Sequence, residues 1–439
     1  MLPPDRLSRC KARAVAAGNR YDPGVPRKVP PELIDLAIIG GGAAGLATGV
    51  FAARSQRDWT IVILDGATRL GAKLLMAGGG RCNVTNRVVT AADYCGGSPR
   101  VIKQVLAAYP VERTVSFFHE LGVGLHEEEN GKLYPNTNQA RTVLDALVNE
   151  TRRLDVFVLT EHRVRAVEAC DPGFRILTGE KTLCARRVVL ATGGQSLPKT
   201  GSDGRGYGLA QGLGHTLVPT TPALVPLVLT GDFHAPLSGI SQDVELAVRA
   251  GGAKAIRIRG ALLWTHFGVS GPAVLNASRH WHRARLAGDD VSVAANFLPG
   301  EDFAGAERRL FALASSRPKA LLRNALSPVL PARVAAAVLR KLEIEEALPI
   351  VRLPRDLRRK LVHALLAWPL PVLGSRGYAE AEVTAGGVPL SEIDPGSMAS
   401  RKCPGLYLVG EILDVDGRIG GFNFQWAWSS AWVAASGCR

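Results

Sequence analysis

At 439 residues the chain is long enough for two or three domains, and 46% apolar content with 48 glycines fits an α/β protein with a large core and many turns. The net charge of +14 raises the question of an RNA or membrane partner. The basic residues are scattered along the sequence without a long block or basic–aromatic alternation, so no nucleic-acid partner is expected. Seven cysteines without a C-x-x-C pair argue against a disulfide framework and a zinc site, predict no metal, and suit a reducing, cytoplasmic setting. No uninterrupted apolar run reaches the roughly 18 residues of a membrane span.

In chain order, residues 1–31 are basic and proline-rich and lack the apolar core of a secretory signal, so they read as a flexible N-terminal extension. Asp35 to Asp65 follows. An apolar strand, Leu36 to Ile39, runs into Gly40-x-Gly42-x-x-Gly45, then a helix of small residues, then a second apolar strand that ends at Asp65. Each part has a physical task. Gly40 makes the tight turn, Gly42 leaves room for a pyrophosphate at the backbone, and Gly45 lets helix and strand pack closely. The helix N-terminus, with Ala43 and Ala44, offers free N–H groups and the positive end of a dipole. Asp65 can accept hydrogen bonds from a ribose hydroxyl. The pattern predicts a bound dinucleotide.

Gly71 to Asn86 carries Lys73 and three consecutive glycines ending at Gly80, followed by Arg81-Cys82-Asn83, and reads as a loop lying against a flat ligand. The spacing predicts helix over Val101 to Leu121, a turn over Gly131 to Asn136, helix over Ala140 to Arg152, and short strands over Val156 to Leu159, His162 to Glu168 and Phe174 to Thr178. Arg187 to Leu190 is a buried strand ending at Thr192-Gly193-Gly194. From about Gln195 to Leu353 the texture changes to β segments followed by Ala/Leu/Arg-rich helical stretches. Strand-and-turn texture returns at Ala379 to Gly387 and at Gly405 to Gly410-Glu411, and Gly420-Gly421 opens a last helix. The predicted division is 32–195 and 356–439 as two parts of one nucleotide-binding domain, with 196–355 inserted between them as a substrate or cap domain.

Three glycine-terminated strands can therefore border one crevice, since the C-terminal ends of parallel strands converge. An acid at the end of the last strand, Glu411, suits a ribitol hydroxyl. A helix N-terminus at Gly421 suits the electron-rich pyrimidine edge of a flavin.

These residues resemble the BaiN/RdsA-type (YhiN-like) FAD-dependent oxidoreductases of the two-dinucleotide-binding-domain superfamily. The likeness is carried by Ile39 to Gly45, Lys73 to Asn86, Ala191 to Gly201 with Gly206-Tyr207-Gly208, Trp264 to Pro272, Val383 to Val388, and Gly410 to Trp428. It covers about nine-tenths of the chain. It implies an α/β fold with a Rossmann-like, glutathione-reductase-type FAD domain interrupted by a β-rich and helical insertion. It implies reduction of a conjugated enone, as in bile-acid intermediates. Asp65 departs from the family's usual Glu; either acid binds ribose.

The expected cofactor contacts are Gly40, Gly42, Ala43, Ala44, Gly45, Asp65, Lys73, Gly80, Arg81, Cys82, Asn83, Val164, Thr192, Gly193, Gly194, Gly410, Glu411, Gly421, Phe422 and Asn423. His266, Arg418 and Arg81 are the candidates for catalysis: a His or Arg can supply the proton that accompanies hydride transfer to an alkene, or polarise its carbonyl. Cys82 reads as a packed thiol. No second G-x-G-x-x-G follows a strand, so NADH or NADPH is expected as a transient donor without its own domain. The expected partner is a small-molecule substrate. The rival readings are an RNA-modifying flavoprotein, motivated by the charge, and a non-catalytic FAD-binding redox sensor.

Overall fold

In the computed structural model, residues 33–179 and 181–438 are described; the expected N-terminal extension lies outside them. Five parallel strands lie in the order Phe157–Leu159, Ile61–Leu64, Leu33–Ile39, Thr182–Leu190, Leu406–Leu408. The antiparallel strands Gly173–Thr178 and Val164–Cys170 continue the sheet from the first half of Thr182–Leu190. Leu36 to Ile39 and Ile61 to Leu64 are buried without alternation because helices cover both faces of a parallel sheet. The helix Ala43–Ser55 is buried from Ala44 to Ala53 and packs against the C-terminal helix Phe422–Gly437, itself buried along most of its length.

A second sheet is wholly antiparallel, in the order Trp368–Leu370, Val291–Asn296, Ser241–Ala250, Ile256–Thr265, Gly268–Ser270, Leu227–Leu229, Val372–Ser375. The helix Pro272–Leu286 covers one face, and helices Phe303–Ser316, Ala332–Lys341 and Arg355–Leu366 form a bundle beside it.

Two hydrophobic cores follow this division. Tyr207, Ala210 and Leu213 pack in the first, whereas Leu361, Val362 and Leu365 pack in the second. The inserted unit thus runs from about Leu227 to Ser375, and the breaks expected at 196 and 356 fall inside neighbouring units. The helix Arg355–Leu366 belongs with the insertion because its buried face, Leu361, Val362 and Leu365, packs in the second core.

Three local expectations also change. Gly71 to Gly80 holds a helix, Ala72–Gly80, whose last turn is broken where Gly78 and Gly79 take positive φ of 58° and 70°. Val101 to Leu121 is two helices, Pro99–Ala108 and Val111–Glu120, because Pro110 cannot continue the first. Lys132–Pro135 is a strand, paired on both sides.

Glu150 ties the sheet's two flanking helices together. Its carboxylate accepts from Arg54 (2.8 Å) and Arg153 (2.7 Å), and its side chain is 7% exposed. The Arg153 and Arg54 bonds hold its pKa down at about 2, against burial, which raises it. The pair's stabilisation is therefore complete above the ordinary carboxylate range and is lost as pH falls towards 2. Glu150→Gln is expected to lower stability by about 2 kcal/mol at neutral pH. Denaturant titrations of both proteins should show that gap closing between pH 4 and pH 2.

Candidate active site

The ends of Leu33–Ile39, Thr182–Leu190 and Leu406–Leu408 lie side by side, so the glycines after them, Gly40, Gly193 and Gly410, share one edge of the sheet. Gly40 (φ +111°) turns the chain so tightly that an added methyl would lie 2.4 Å from Ala191 O; one on Gly45 would lie 1.8 Å from Gly40 O. Gly42 differs. It caps the helix at φ −81°, and a methyl there meets no protein atom within 4 Å. That open space in front of unpaired helix N–H groups fits a pyrophosphate. Asp65 spans the turn, with Oδ2 accepting from Gly41 N and Oδ1 from Ala67 N, both at 2.7 Å. Burial raises its pKa, opposed by those N–H groups and by Arg163.

Lys73 reaches across the crevice. Its Nζ lies 2.5 Å from Glu411 Oε2 and 2.5 Å from Ser196 Oγ, while Glu411 Oε1 accepts from Ser196 Oγ (2.9 Å) and Thr384 N (3.0 Å). A carboxylate offers about four acceptor positions, so Glu411 keeps one for a hydroxyl. Ser196 and Thr384 lay within quoted motifs but were given no role. They join from distant parts of the chain, and only their hydrogen bonds reveal them.

Val164, Gln195 and Gly204 line a cavity of about 1080 Å³ on the Asp65 side of the crevice. Thr192 Oγ1 and Ser202 Oγ are buried without a partner nearby, and Gly193 sits against Ser202. Orphaned hydroxyls beside a glycine cradle are what a polar ligand would satisfy. The crevice thus has an anion-binding turn, ribose-type acceptors at both ends and unsatisfied donors between, and its residues fit FAD.

The Arg81 segment and the C-terminal helix meet, but through different atoms from those expected. Cys82 is fully buried at φ 61°, and burial pushes its thiol far above the ordinary range, so it is a packed thiol and not a reactive one. Asn83 is buried; with its amide oriented to suit its neighbours, Oδ1 accepts from Gly421 N (3.0 Å) and Nδ2 donates to Thr85 O (2.8 Å). Asn423 grips Gly417 by both its amide groups, and Phe422 is 1% exposed with its carbonyl accepting from Tyr94 OH. The side chains of Asn83 and Asn423 and the Phe422 carbonyl hold the start of the C-terminal helix in place. Arg81 keeps a reachable guanidinium, paired with Glu128 (2.7 Å) and stacked 4.1 Å over Tyr134.

The insertion clamps this region. Arg279, on Pro272–Leu286, is 3% exposed; it pairs with Asp416 Oδ2 and donates to the Asp416 and Gly417 carbonyls, each at 2.6 Å, while Asn276 Oδ1 accepts from Ile419 N (2.9 Å). No sequence signal singled out Arg279 or Asn276, because both are polar positions on an ordinary amphipathic helix. Arg418, in the same loop, pairs with Asp93 (2.7 Å) and lies 4.3 Å over Phe422. His266 is exposed at the tip of the hairpin between Ile256–Thr265 and Gly268–Ser270, with its ring against Phe267. None of its recorded contacts reaches the Gly40, Lys73 or Gly421 segments, so it is not gathered with the other candidates. Among the described residues there is no cluster suited to a metal ion.

The glycine geometry yields a contrast. Gly42→Val is expected to fold with the melting temperature of the flavin-free parent and to bind FAD at least 100-fold more weakly. Gly45→Val must displace the Gly40 turn and should lose soluble folded protein. Thermal melts beside flavin absorbance separate the two; full flavin content in Gly42→Val would contradict the placement.

A family model described as the HI0933-like protein Rossmann domain matches residues 34–437. The chain is 35% identical to the 3-dehydro-bile acid delta(4,6)-reductase of Clostridium scindens, over 91% of this chain and 97% of that one. It is 36% identical to the ribosomal RNA dihydrouridine synthase of Escherichia coli, over 92% and 98%. It is 33% identical to the protein of that name from Haemophilus influenzae, over 91% and 96%. Among solved structures, a quinol-fumarate reductase superposes with a TM-score of 0.49 at 16% identity, over 92% of this chain and 70% of that one. With a matched span that takes in both parts of the nucleotide domain and the insertion between them, the chain belongs to the HI0933-like Rossmann-domain family.

Proposed function

We propose that this protein is an FAD-dependent oxidoreductase that delivers hydride to a carbon–carbon double bond conjugated to a carbonyl. The observation that carries the reading is the open helix N-terminus at Gly42, in line with the Lys73–Glu411–Ser196 cluster and the Gly421 helix end. Backbone N–H groups of Gly42, Ala43 and Ala44 hold the pyrophosphate, Asp65 the adenosine ribose and Glu411 the ribitol. The N-terminus of Phe422–Gly437 would favour the pyrimidine edge, where negative charge develops on reduction. When bound and reduced, FAD would supply the hydride from N5, a side chain or water would supply the proton to the neighbouring carbon, and NADH or NADPH would restore the reduced flavin. Arg418, held by Asp93, polarises the substrate carbonyl and with it makes the far alkene carbon electrophilic; Arg81 is the second cation at the site. The inserted unit, clamped through Arg279, closes the substrate side.

The relatives' names favour this chemistry from two sides. A bile acid delta(4,6)-reductase and a dihydrouridine synthase act on different molecules, yet a 3-oxo-4-ene and the C5=C6 bond of uracil are both double bonds conjugated to a ring carbonyl. A small enone is the first substrate class, and uridine in RNA is the second reading, favoured by these relatives' names.

In an anaerobic titration of the flavin-loaded protein, NADH or NADPH is expected to bleach the visible flavin band, and a conjugated enone to restore it, whereas an isolated alkene does not. A flavin that dithionite reduces but neither nicotinamide does would remove NAD(P)H as donor. Failure of every conjugated acceptor to reoxidise it would favour the redox-sensor role. Arg418→Ala is expected to lower kcat about 100-fold with flavin content unchanged, and Arg418→Lys to recover part of the loss.

A further inference from the structure

One contiguous stretch of the sequence carries a marked excess of cations, and it folds as one unit. Residues 303–366 carry thirteen Arg and Lys against five Asp and Glu, a net of eight of the chain's +14 charges. They form the helical bundle of the insertion. Its helices turn Leu310, Val334, Val338, Leu361 and Leu365 inward, which leaves the cations outside. Arg309, Arg340 and Arg358 are paired with Glu301, Glu346 and Glu307. Arg317, Lys319, Arg352 and Arg355 are exposed and make no recorded ion pair with any described residue.

A groove of about 330 Å³ lies among them, lined by Leu310, Phe311, Pro318, Val351, Leu353 and Arg358. Phe311 is 48% exposed and Val351 59%. The Arg358 guanidinium lies 4.4 Å from the Phe311 ring centre and fixes it. Pro318 stands between Arg317 and Lys319, and Arg352 follows Val351, so the apolar floor has a cationic rim.

We propose that this face of the bundle is an RNA-docking surface. Phe311 is a stacking platform for an unpaired base, and Arg317, Lys319, Arg352 and Arg355 hold the phosphates on either side of it. An exposed aromatic ring bordered by free cations is the chemistry that single-stranded segments and loops of RNA require. A membrane surface fits less well. An interfacial helix presents an apolar stripe outward, whereas here each helix buries its apolar face. The proposal rests on the uridine reading only for which base reacts; docking is read without turnover.

The test uses the full-length, flavin-loaded protein and a fluorescein-labelled RNA hairpin with a uridine-rich loop, by fluorescence anisotropy between 50 and 200 mM salt. Binding should weaken with salt at a log–log slope of about 3, the value for roughly four phosphate contacts on a single strand. The R317E/K319E/R352E/R355E variant should bind at least 30-fold more weakly and with a shallower slope. Phe311→Ala should weaken binding about 10-fold with the slope unchanged. Both variants should keep the parent's melting temperature, flavin content and enone reduction. Should the fourfold reversal melt early, R317Q/K319Q with R352Q/R355Q reports the same loss without introduced acids. Unchanged RNA binding in these variants overturns the proposal, as does no binding by the parent at 50 mM salt. Equal binding to duplex DNA, or preferential binding to phosphatidylglycerol vesicles, overturns it in favour of a general polyanion or a membrane. Enone turnover without RNA binding defeats this proposal alone, and RNA binding without enone turnover defeats the small-substrate reading alone.

Discussion

The structure depends on one close approach. The carbonyl of Gly40 lies where a side chain of Gly45 would stand, and Gly40 itself presses on the Ala191 carbonyl of the neighbouring strand. Only hydrogen atoms fit at these two positions. Because they fit, the helix Ala43–Ser55 starts directly over the strand end, its N-terminus is held at the crevice, and Thr182–Leu190 is brought close enough for Gly193 to share the same edge. The same helix then forms the floor on which the C-terminal helix packs, which carries the second helix N-terminus to the site from the far end of the chain. Two positive dipole ends and three strand ends thus face one crevice because of contacts too small for any side chain.

Around that frame, polar side chains work mainly as struts. Asp65 holds the turn, Asn83 and Asn423 hold the start of the C-terminal helix, and Arg279 holds the loop between them from another unit of the fold. Breaking a buried pair such as Arg279–Asp416 by removing one partner costs about 3–5 kcal/mol, because it strands a charge in a dry site. The inserted unit is therefore fixed to the loop that precedes the helix.

The strand–turn–helix at Asp35 to Asp65, the parallel sheet, the interrupted nucleotide domain and the convergence of Gly40, Gly193 and Gly410 were legible in the sequence. Each rests on a local rule: an unbroken apolar run for a doubly covered strand, glycine where backbone meets backbone, an acid at a strand end. Which residues around Gly80 and Gly421 face a ligand was not legible. Cys82, Asn83 and Phe422 lie in the right segments, but the direction of a side chain there depends on positive-φ glycines and on partners hundreds of residues away, such as Tyr94 and Gly417.

By itself the sequence determined the class of fold, the dinucleotide-type turn and the pairs of glycines that no other residue could replace, because those are properties of a few adjacent residues. Only the tertiary structure decided where the inserted unit begins and ends, that Ser196 and Thr384 join Lys73 and Glu411, and that Arg279 clamps the loop before the last helix. Each of these is a contact between residues far apart along the chain, and a long-range contact is fixed by which apolar faces must be buried against each other, not by the residues beside it.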